Sequence, residues 1–571
     1  MKNNENKKNE LNNDNKKVVI GLSWPYANGR MHIGHVASSL PADALARFHR
    51  GIGNDVAFIS GSDCYGTPIL VSAKSEGVTP TELSDRYHAL LKSDFESVGF
   101  TFDNYTKTTT DQHKQFVANF HREMYEGGYI YERAENQLFC RPCDKYLPDR
   151  YVEGICPFCD HASKGDSCDN CGKMIEAEEL KDPRCKLCGG TPEPRMTKQL
   201  YIALSKLEPQ IREFYESKKG DWANNAVGLT GRYLNEGLRD RAITRNIEWG
   251  VPLPSEAKSK FNLTDEEFAE KKIYIWAENV LGYLSATKEV CEARGWDFDE
   301  FYGHAGGGVG VNATQRLHYY VHAKDNIPFH TVILPGLLLA NCNSELGKAS
   351  RFHLPDQIVS SEYVKLGGAK LSKSVGNLIT VHEMVEKYNS DMIRYYFLKH
   401  TSDKKDINFT EDEFITTINT DLVNGFGNLV NRSMSFINKN GLRSDGFGAE
   451  KVSEHLEEKG LLQIVNSIEK QFESQMYAGK VAKALAIAFE LVTMGNKFFD
   501  ETAPWKSVKE DREKCERDLS VVIEIIKRAC ELLQIFIPDA GARVLSWVTD
   551  LNNGKAPEIE ILFKRLEKTI S

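Results

Sequence analysis

A chain of 571 residues, 41% hydrophobic and 27% charged, is long enough for about three or four domains, each with a sizeable core. Its formal net charge of -9 excludes a whole-molecule attraction to polyanions, so any surface that binds nucleic acid must be a local patch. No stretch is apolar over enough residues to act as a secretion signal or to span a bilayer, which predicts a cytoplasmic protein.

The first elements in chain order indicate a nucleotide-binding α/β fold. Residues 1–17 are rich in Asn and Lys and are predicted to be a disordered tail, because they hold almost no apolar side chains. A β-branched strand follows at Val18–Leu22, then a helical pattern from about His35 to Arg50, then a second apolar strand at Val56–Gly61. A strand, a crossover helix and a parallel strand place ligands at the carboxyl ends of the strands. The side chains predicted at such ends are His32, His35 and Asp63.

A cysteine-rich segment interrupts this pattern between about Tyr131 and Arg195. It contains four Cys-x-x-Cys pairs, and two thiolates at this spacing reach one tetrahedral ion. Eight such ligands suit two closed four-cysteine zinc sites of structural character, without a free coordination position. The spacing leaves nested and sequential pairing both open. The predicted ligands are Cys140, Cys143, Cys156, Cys159, Cys168, Cys171, Cys185 and Cys188.

The remainder of the chain returns to an α/β pattern and then becomes helical. Apolar runs at Lys272–Trp276 and His330–Pro335 are predicted core strands, so the cysteine segment splits the α/β domain. From about Thr410 onward, long amphipathic patterns predict an α-helical bundle.

Between these parts, the stretch GGAKLSKSVGN at Gly367–Asn377 places two lysines among glycines and small hydroxyl residues. It suits a mobile loop that brings ammonium groups to a polyphosphate, although a solvated loop has the same composition.

The two signals together resemble the class I aminoacyl-tRNA synthetases. His32 to His35 (HIGH) matches the first signature of that family in every letter, and Lys370 to Ser374 differs from the second, KMSKS, only at Leu371. Within the class, the chain is similar to the methionyl-tRNA synthetases, on the doubled cysteine knuckles and on PYANG from Pro25, DCYGTP from Asp63, DMIRYY from Asp391 and APW from Ala503.

The resemblance implies an α/β plus all-α protein, with a Rossmann-type catalytic domain split by a zinc-knuckle insertion and followed by an anticodon-binding helical bundle. The insertion is too short for the editing domain of the leucyl, isoleucyl and valyl enzymes, which favours the methionyl family. Because no further domain follows the bundle, we expect a monomer. The expected domains are the tail at 1–17, the first catalytic half at 18–115, the insertion at 116–230, the second half at 231–338, a stem-contact region with the KLSKS loop at 339–410, and the bundle at 411–571.

The resemblance also implies the reaction and its residues. ATP and L-methionine would give methionyl-adenylate and pyrophosphate, and methionine would then pass to the 3′ end of tRNA(Met). The implied catalytic residues are His32, His35, Lys370 and Lys373. The implied ATP contacts add Gly34, Asp325 and Ser372, with Mg²⁺ accompanying ATP. The implied methionine pocket consists of Tyr26, Asp63, Trp276, Tyr283 and His330, and the implied anticodon contacts are Asn428, Arg432 and Trp505.

Some positions depart from the family pattern and predict an altered amino-acid pocket. Glu278, Asn279 and Val280 stand where the family has Asp-Ala-Pro, Leu334 replaces a frequent tryptophan, and Ala323 replaces a glycine. Two alternatives stay open at this point. One is a synthetase-like paralogue that binds tRNA or metal without aminoacylation, and the other is a class I synthetase of the Leu/Ile/Val/Cys group.

Overall fold

The computed structural model describes residues 15–148, 151–165, 168, 170–303, 315–342, 350–370, 378–442 and 449–567, with the backbone alone at 369–370 and 449–451. The predicted tail lies almost wholly outside the described residues, and Lys17 already begins the first strand. The chain divides into two compact units. The first unit contains Met1–Arg30, Ile52–Asp94 and Thr101–Ser360, and the second contains Met31–Gly51, Phe95–Phe100 and Ser361–Ser571.

The strands, in chain order, are β1 Lys17–Leu22, β2 Asp55–Ser62, β3 Asn104–Lys107, β4 Ile130–Cys140, β5 Lys145–Tyr146, β6 Val152–Ile155, β7 Ala162–Lys164, β8 Lys181–Cys185, β9 Glu193–Ile202, β10 Arg241–Ala242, β11 Thr244–Asn246, β12 Lys271–Ile273, β13 Arg316–Ala323, β14 Gln357–Ser361, β15 Val364–Leu366, β16 Ala369–Lys370 and β17 Ile407–Phe409.

The α-helices are Ile33–Gly51, Thr67–Glu76, Pro80–Ser97, Asp111–Glu126, Leu204–Lys218, Asn224–Glu236, Glu256–Lys260, Asp265–Glu270, Ile275–Glu278, Gly282–Arg294, Phe298–Tyr302, Leu334–Ala340, Val381–Lys387, Ser390–His400, Glu411–Thr417, Asn428–Asn440, Ala449–Glu458, Leu462–Tyr477, Val481–Thr502, Pro504–Glu510, Arg512–Leu533 and Pro538–Asn552. Short 3-10 turns lie at Ala177–Glu179, Asn279–Leu281 and Lys324–Asn326, and π-helical segments at Phe329–Ile333 and Ile418–Gly427. Among the described residues, no helix is long and apolar enough to cross a membrane.

A five-stranded sheet in the order β14-β13-β1-β2-β3 forms the core of the first unit. β1 pairs in parallel with both β13 and β2, and β2 pairs in parallel with β3. The strands predicted at Val18–Leu22 and Val56–Gly61 are thus present, and the predicted Rossmann-type fold class is confirmed.

The predicted strand Lys272–Trp276 is present only as β12, Lys271–Ile273, in the two-stranded sheet β11-β12, and Ile275 and Trp276 belong to the helix Ile275–Glu278.

The other strand predicted in this part of the chain is wrong. The run His330–Pro335 is helical, as a π-helical turn at Phe329–Ile333 that continues into the buried helix Leu334–Ala340. A continuous apolar run has no periodicity that separates a buried strand from a buried helix.

The insertion is built on a long antiparallel pair. β4 and β9 pair from Ile130↔Ile202 to Phe139↔Glu193, within a sheet in the order β10-β9-β4-β5. The chain between the two strands forms the small sheet β7-β6-β8 and carries the cysteine pairs.

The second unit contains the predicted helical bundle. Its helices bury one apolar stripe each; in Val481–Thr502, for example, buried residues recur at three- and four-residue spacing from Ala484 to Phe499. The helix Ile33–Gly51 and the sheet β16-β15-β17 belong to the same unit.

A buried arginine joins the distant segments of this second unit. Arg394 Nη2 lies 2.6 Å from Asp43 Oδ2, and neither side chain is exposed. Arg394 Nε donates to the carbonyl of Phe536 (2.9 Å), and Nη1 donates to that of Val98 (3.2 Å). Arg47 Nε also reaches Asp43, at 2.7 Å. Because a buried charge is tolerated only when it is paired and hydrogen-bonded, this set of contacts specifies how the four segments pack.

Arg394→Met is expected to lower the free energy of unfolding by about 3–5 kcal/mol, because it removes a buried cation and leaves three carbonyls, of Phe536, Val98 and Ile535, without their donor. Arg47→Met, at a partly exposed side chain, is expected to cost about 1 kcal/mol or less. Urea denaturation followed by circular dichroism measures both. Equal losses in the two variants would contradict the assigned role of Arg394.

Candidate functional site

In the first unit, Tyr283 and His330 form a buried hydrogen-bonded pair. The Tyr283 hydroxyl lies 2.8 Å from His330 Nε2, and His330 Nδ1 lies 2.9 Å from the carbonyl of Asn326. Because a carbonyl only accepts, Nδ1 carries the proton and Nε2 accepts from the tyrosine. Burial lowers the pKa of His330 to about 4, so the ring is neutral at physiological pH. The Tyr283 hydroxyl and His330 Nδ1–H thus both donate within the protein, and the pair offers a ligand chiefly its ring surfaces.

Trp276 lies near the Tyr283–His330 pair through its contact with Phe329. Trp276 packs edge-on against Phe329, with ring centres 4.4 Å apart, and Phe329 precedes His330 in the π-helical turn. π-helical turns are frequent at functional sites. The structure therefore brings three of the predicted pocket residues, Trp276, Tyr283 and His330, to one place.

Tyr26 and Asp63 meet at the carboxyl ends of β1 and β2. Their backbones form a parallel bridge, in which the Ala27 amide donates to the Asp63 carbonyl (2.8 Å) and the Asp63 amide donates to the Pro25 carbonyl (2.9 Å). The Asp63 side chain is buried and accepts from the Tyr65 amide. Asp325 lies exposed in the 3-10 turn just beyond β13, at the same kind of strand end.

Two pocket neighbours were not anticipated from the sequence. His322 stacks on His330 with ring centres 4.3 Å apart, and Tyr320 lies 5.7 Å from the same ring. Both are buried and alternate along β13 with His318. The alternation His-x-Tyr-x-His over residues 318–322 is the sequence signal that could have identified this face.

In the second unit, His32 and His35 lie at the start of the helix Ile33–Gly51. Their rings stack with centres 3.9 Å apart. The Gly34 amide donates to His32 Nδ1 (3.1 Å), and the His32 amide donates to His35 Nδ1 (3.2 Å). Because both Nδ1 atoms accept, each neutral ring carries its proton on Nε2. The pair therefore lies at a helix N-terminus, a position that suits phosphate oxygens.

The segment that follows the KLSKS loop anchors this signature. The Ile33 amide donates to the Ile379 carbonyl (3.0 Å), and the Val381 amide donates to the Met31 carbonyl (3.0 Å). At the other end of the loop, Lys370 lies in β16 and pairs with Lys365. Ser372 and Lys373 lie outside the described residues.

Arg432 and Trp505 meet through Phe499 in the bundle. Arg432 donates to Asp500 (2.6 Å) and to both oxygens of Asn496 (2.9 and 3.0 Å), and its guanidinium lies 4.4 Å from the Phe499 ring centre. Trp505, which is 47% exposed, lies 6.3 Å from the same ring. Asn428 is exposed one helical turn before Arg432.

The cysteines form two nested sets. The outer set is Cys140, Cys143, Cys185 and Cys188, and the inner set is Cys156, Cys159, Cys168 and Cys171. Within each set, all sulfur atoms lie within 4.8 Å of one another, and the pairs Cys143–Cys185 and Cys156–Cys171 are both 3.9 Å apart. Tetrahedral zinc with bonds of 2.3 Å requires sulfurs about 3.8 Å apart. Each set could therefore hold one ion, and of the two open pairings the structure has the nested one.

Comparison with known proteins identifies the family. A family model described as "tRNA synthetases class I (M)" matches residues 18–434, and one described as "Anticodon binding domain of methionyl tRNA ligase" matches residues 450–569. Methionine–tRNA ligase 1 of Alkaliphilus oremlandii is 36% identical over 97% of this chain and 98% of its own, and methionine–tRNA ligase of Bacillus mycoides is 38% identical over 96% and 97%. The solved structure of Mycobacterium tuberculosis methionyl-tRNA synthetase in complex with methionyl-adenylate shares the fold, with a TM-score of 0.73 at 21% identity over 96% of this chain and 100% of that one.

A parallel sheet, the HIGH signature at a helix start and a C-terminal helical bundle define a class I aminoacyl-tRNA synthetase. Within that class, the chain belongs to the methionine–tRNA ligase family. Both steps of the resemblance drawn from the sequence are thus confirmed, and the alternative in the Leu/Ile/Val/Cys group is set aside.

Proposed function

We propose that this chain joins L-methionine to the 3′ end of tRNA(Met) in two steps, first forming methionyl-adenylate and pyrophosphate from methionine and ATP. The observation that carries the proposal is the match of nearly the whole chain to the methionine–tRNA ligase family, together with the position of His32 and His35 at a helix N-terminus. In the reaction, the imidazoles of His32 and His35 bind phosphate oxygens, where charge develops as the methionine carboxylate attacks the α-phosphate. Donors preorganised for such charge are the main catalytic requirement of this reaction.

The remaining nucleotide contacts follow from the second signature and from the strand ends. Gly34 leaves room for the nucleoside, Asp325 faces the adenosine, and Lys370, Ser372 and Lys373 bind the departing pyrophosphate. Mg²⁺ accompanies ATP, held largely by phosphates and water.

The methionine pocket consists of Tyr26, Asp63, Trp276, Tyr283 and His330. The Asp63 carboxylate holds the substrate ammonium, and the aromatic rings contact the thioether, because a polarizable sulfur packs favourably against aromatic surfaces. Val280 and Leu334 are buried aliphatic side chains that follow Trp276 and His330 by four residues each, and they support the proposal of an altered pocket wall.

The bundle reads the tRNA anticodon. Asn428 and Arg432 supply polar groups for splayed bases, and the exposed indole of Trp505 supplies a stacking surface. Contacts with Asn496 and Asp500 hold the Arg432 guanidinium in one place on the bundle surface.

The two cysteine sets each hold one structural Zn²⁺. Four thiolates complete a tetrahedral shell, so the ions take no substrate and stabilise the insertion between β4 and β9.

ATP–pyrophosphate exchange tests the activity. We expect methionine to stimulate exchange, and leucine, isoleucine, valine and cysteine not to. His35→Asn is expected to lower the rate by about 10²–10³-fold, because it removes one phosphate donor. His382→Asn, at an exposed histidine of the second unit, serves as the control. If no adenylate forms in a single-turnover assay, the result would favour the paralogue that binds without aminoacylation. Stimulation of exchange by another amino acid instead of methionine would contradict the methionine assignment.

Trp505→Ala is expected to lower kcat/KM for tRNA aminoacylation by roughly 10- to 100-fold, because a lost base stack is worth about 1–3 kcal/mol. ATP–pyrophosphate exchange should be unchanged, since it needs no tRNA. Ile464→Ala removes an equally exposed apolar side chain of the bundle and should change neither activity. Parallel losses in both assays would exclude an anticodon role for Trp505.

Zinc analysis of the purified chain is expected to give two ions per molecule. The double variant Cys140→Ser/Cys188→Ser, within one set, should lose one ion, whereas Cys140→Ser/Cys156→Ser, across both sets, should lose two. Sequential pairing predicts the reverse result. Cys342→Ser, outside both sets, should retain both ions.

A further inference from the structure

A buried imidazole links the two helices that carry Trp276 and Tyr283. His113 Nε2 lies 2.8 Å from Glu278 Oε2, in the helix Ile275–Glu278 that also contains Trp276. His113 Nδ1 lies 2.9 Å from Ser285 Oγ, in the helix Gly282–Arg294 that also contains Tyr283. His113, Glu278 and Ser285 are buried, and none belongs to the pocket proposed above.

The donors and acceptors of this network agree with one arrangement of protons. Burial lowers the pKa of His113 to about 4 and raises that of Glu278 well above its usual range, so both groups are neutral. The Glu278 O–H then donates to His113 Nε2, His113 Nδ1–H donates to Ser285 Oγ, and the Ser285 hydroxyl donates to the Gly282 carbonyl (3.2 Å). Each hydrogen bond in this chain fixes which atom is the donor in the next one.

The helix Asp111–Glu126 supplies the base for this link. The Thr110 hydroxyl caps the helix by accepting from the His113 amide (3.2 Å), which fixes the backbone of His113. Two turns later on the same helix, His121 Nε2 donates to the Ala277 carbonyl (2.9 Å). The helix Asp111–Glu126 therefore holds Ala277 and Glu278, which follow Trp276, and also the first turn of the helix that contains Tyr283.

The Trp24 ring packs tightly against the network of His113, Glu278 and Ser285. The Trp24 ring lies 6.2 Å from the His113 ring and 6.4 Å from that of Tyr283. A Cβ added at Gly282 would lie 2.8 Å from the Trp24 ring, and one at Gly61 would lie 2.6 Å from it. The helix Gly282–Arg294 cannot shift toward Trp24 without a clash, and the hydrogen bonds of His113 connect it to the helix Ile275–Glu278.

We propose that His113, Glu278 and Ser285 are positioning residues that set the affinity for methionine by fixing Trp276 relative to Tyr283. The inference rests on the proposed function, since it takes both aromatic residues to bind methionine. A displacement of about 1 Å at such positions is enough to cost roughly 100-fold in activity.

The test measures the KM for methionine and the KM for ATP separately, by ATP–pyrophosphate exchange on the full chain. His113→Ala and Glu278→Ala are expected to raise the KM for methionine by roughly 10-fold, and the KM for ATP should stay within about twofold. Glu278→Gln, whose amide can still donate to His113 Nε2, should restore most of the affinity for methionine. Trp222→Phe removes another buried hydrogen bond of the same unit, to the Asp356 carbonyl, and should change neither KM.

An unchanged KM for methionine in both alanine variants, an equal rise in both KM values, or no rescue by Glu278→Gln would overturn the inference. Ser285→Ala removes a single hydroxyl and decides the question if His113→Ala fails to fold, because an unchanged KM for methionine would again overturn it. Trp276→Ala separates the two levels of the argument. If it leaves the KM for methionine unchanged, the proposed pocket fails; if it raises that KM and His113→Ala does not, only the positioning role fails.

Discussion

The buried guanidinium of Arg394 is the interaction on which the second unit depends. Its partner Asp43 lies on the helix that begins with the HIGH signature, 351 residues earlier in the chain. Asp391, one turn before Arg394, accepts from the Ala540 amide (2.7 Å) and thereby also caps the last helix of the bundle. The helix that begins with the HIGH signature thus shares its buried contacts with the helices of the bundle.

Backbone partners decide what each imidazole offers to a ligand. His32 and His35 accept amide protons at Nδ1, so the proton of a neutral ring lies on Nε2. His330 donates from Nδ1 to a carbonyl, which leaves Nε2 as an acceptor for Tyr283. The same side chain therefore provides hydrogen-bond donors in one unit and an apolar, neutral wall in the other. Burial maintains the second state, because it lowers the pKa of His330 far below physiological pH.

The sequence was enough to predict what local pattern and residue chemistry determine: the first two strands, the bundle, the metal-type cysteine pairs and the HIGH signature. The helix at 334–340 was missed because its residues are all buried, so its sequence has no polar face. The pairing of the cysteines could not be derived because all four Cys-x-x-Cys pairs have the same spacing. The contacts of Arg394 with Asp43 and of His113 with Glu278, 165 residues apart, depend on tertiary structure, which no local signal records.

The nesting of the cysteine sets has a consequence for the order of assembly. The inner pair Cys156 and Cys171 is separated by 15 residues, whereas the outer pair Cys140 and Cys188 is separated by 48. Closing the longer loop costs about 1 kcal/mol more in chain entropy, and closing the inner loop first shortens the segment that remains. On chain entropy alone, the inner knuckle is therefore the easier one to close, and its closure brings the ends of β4 and β9 closer together.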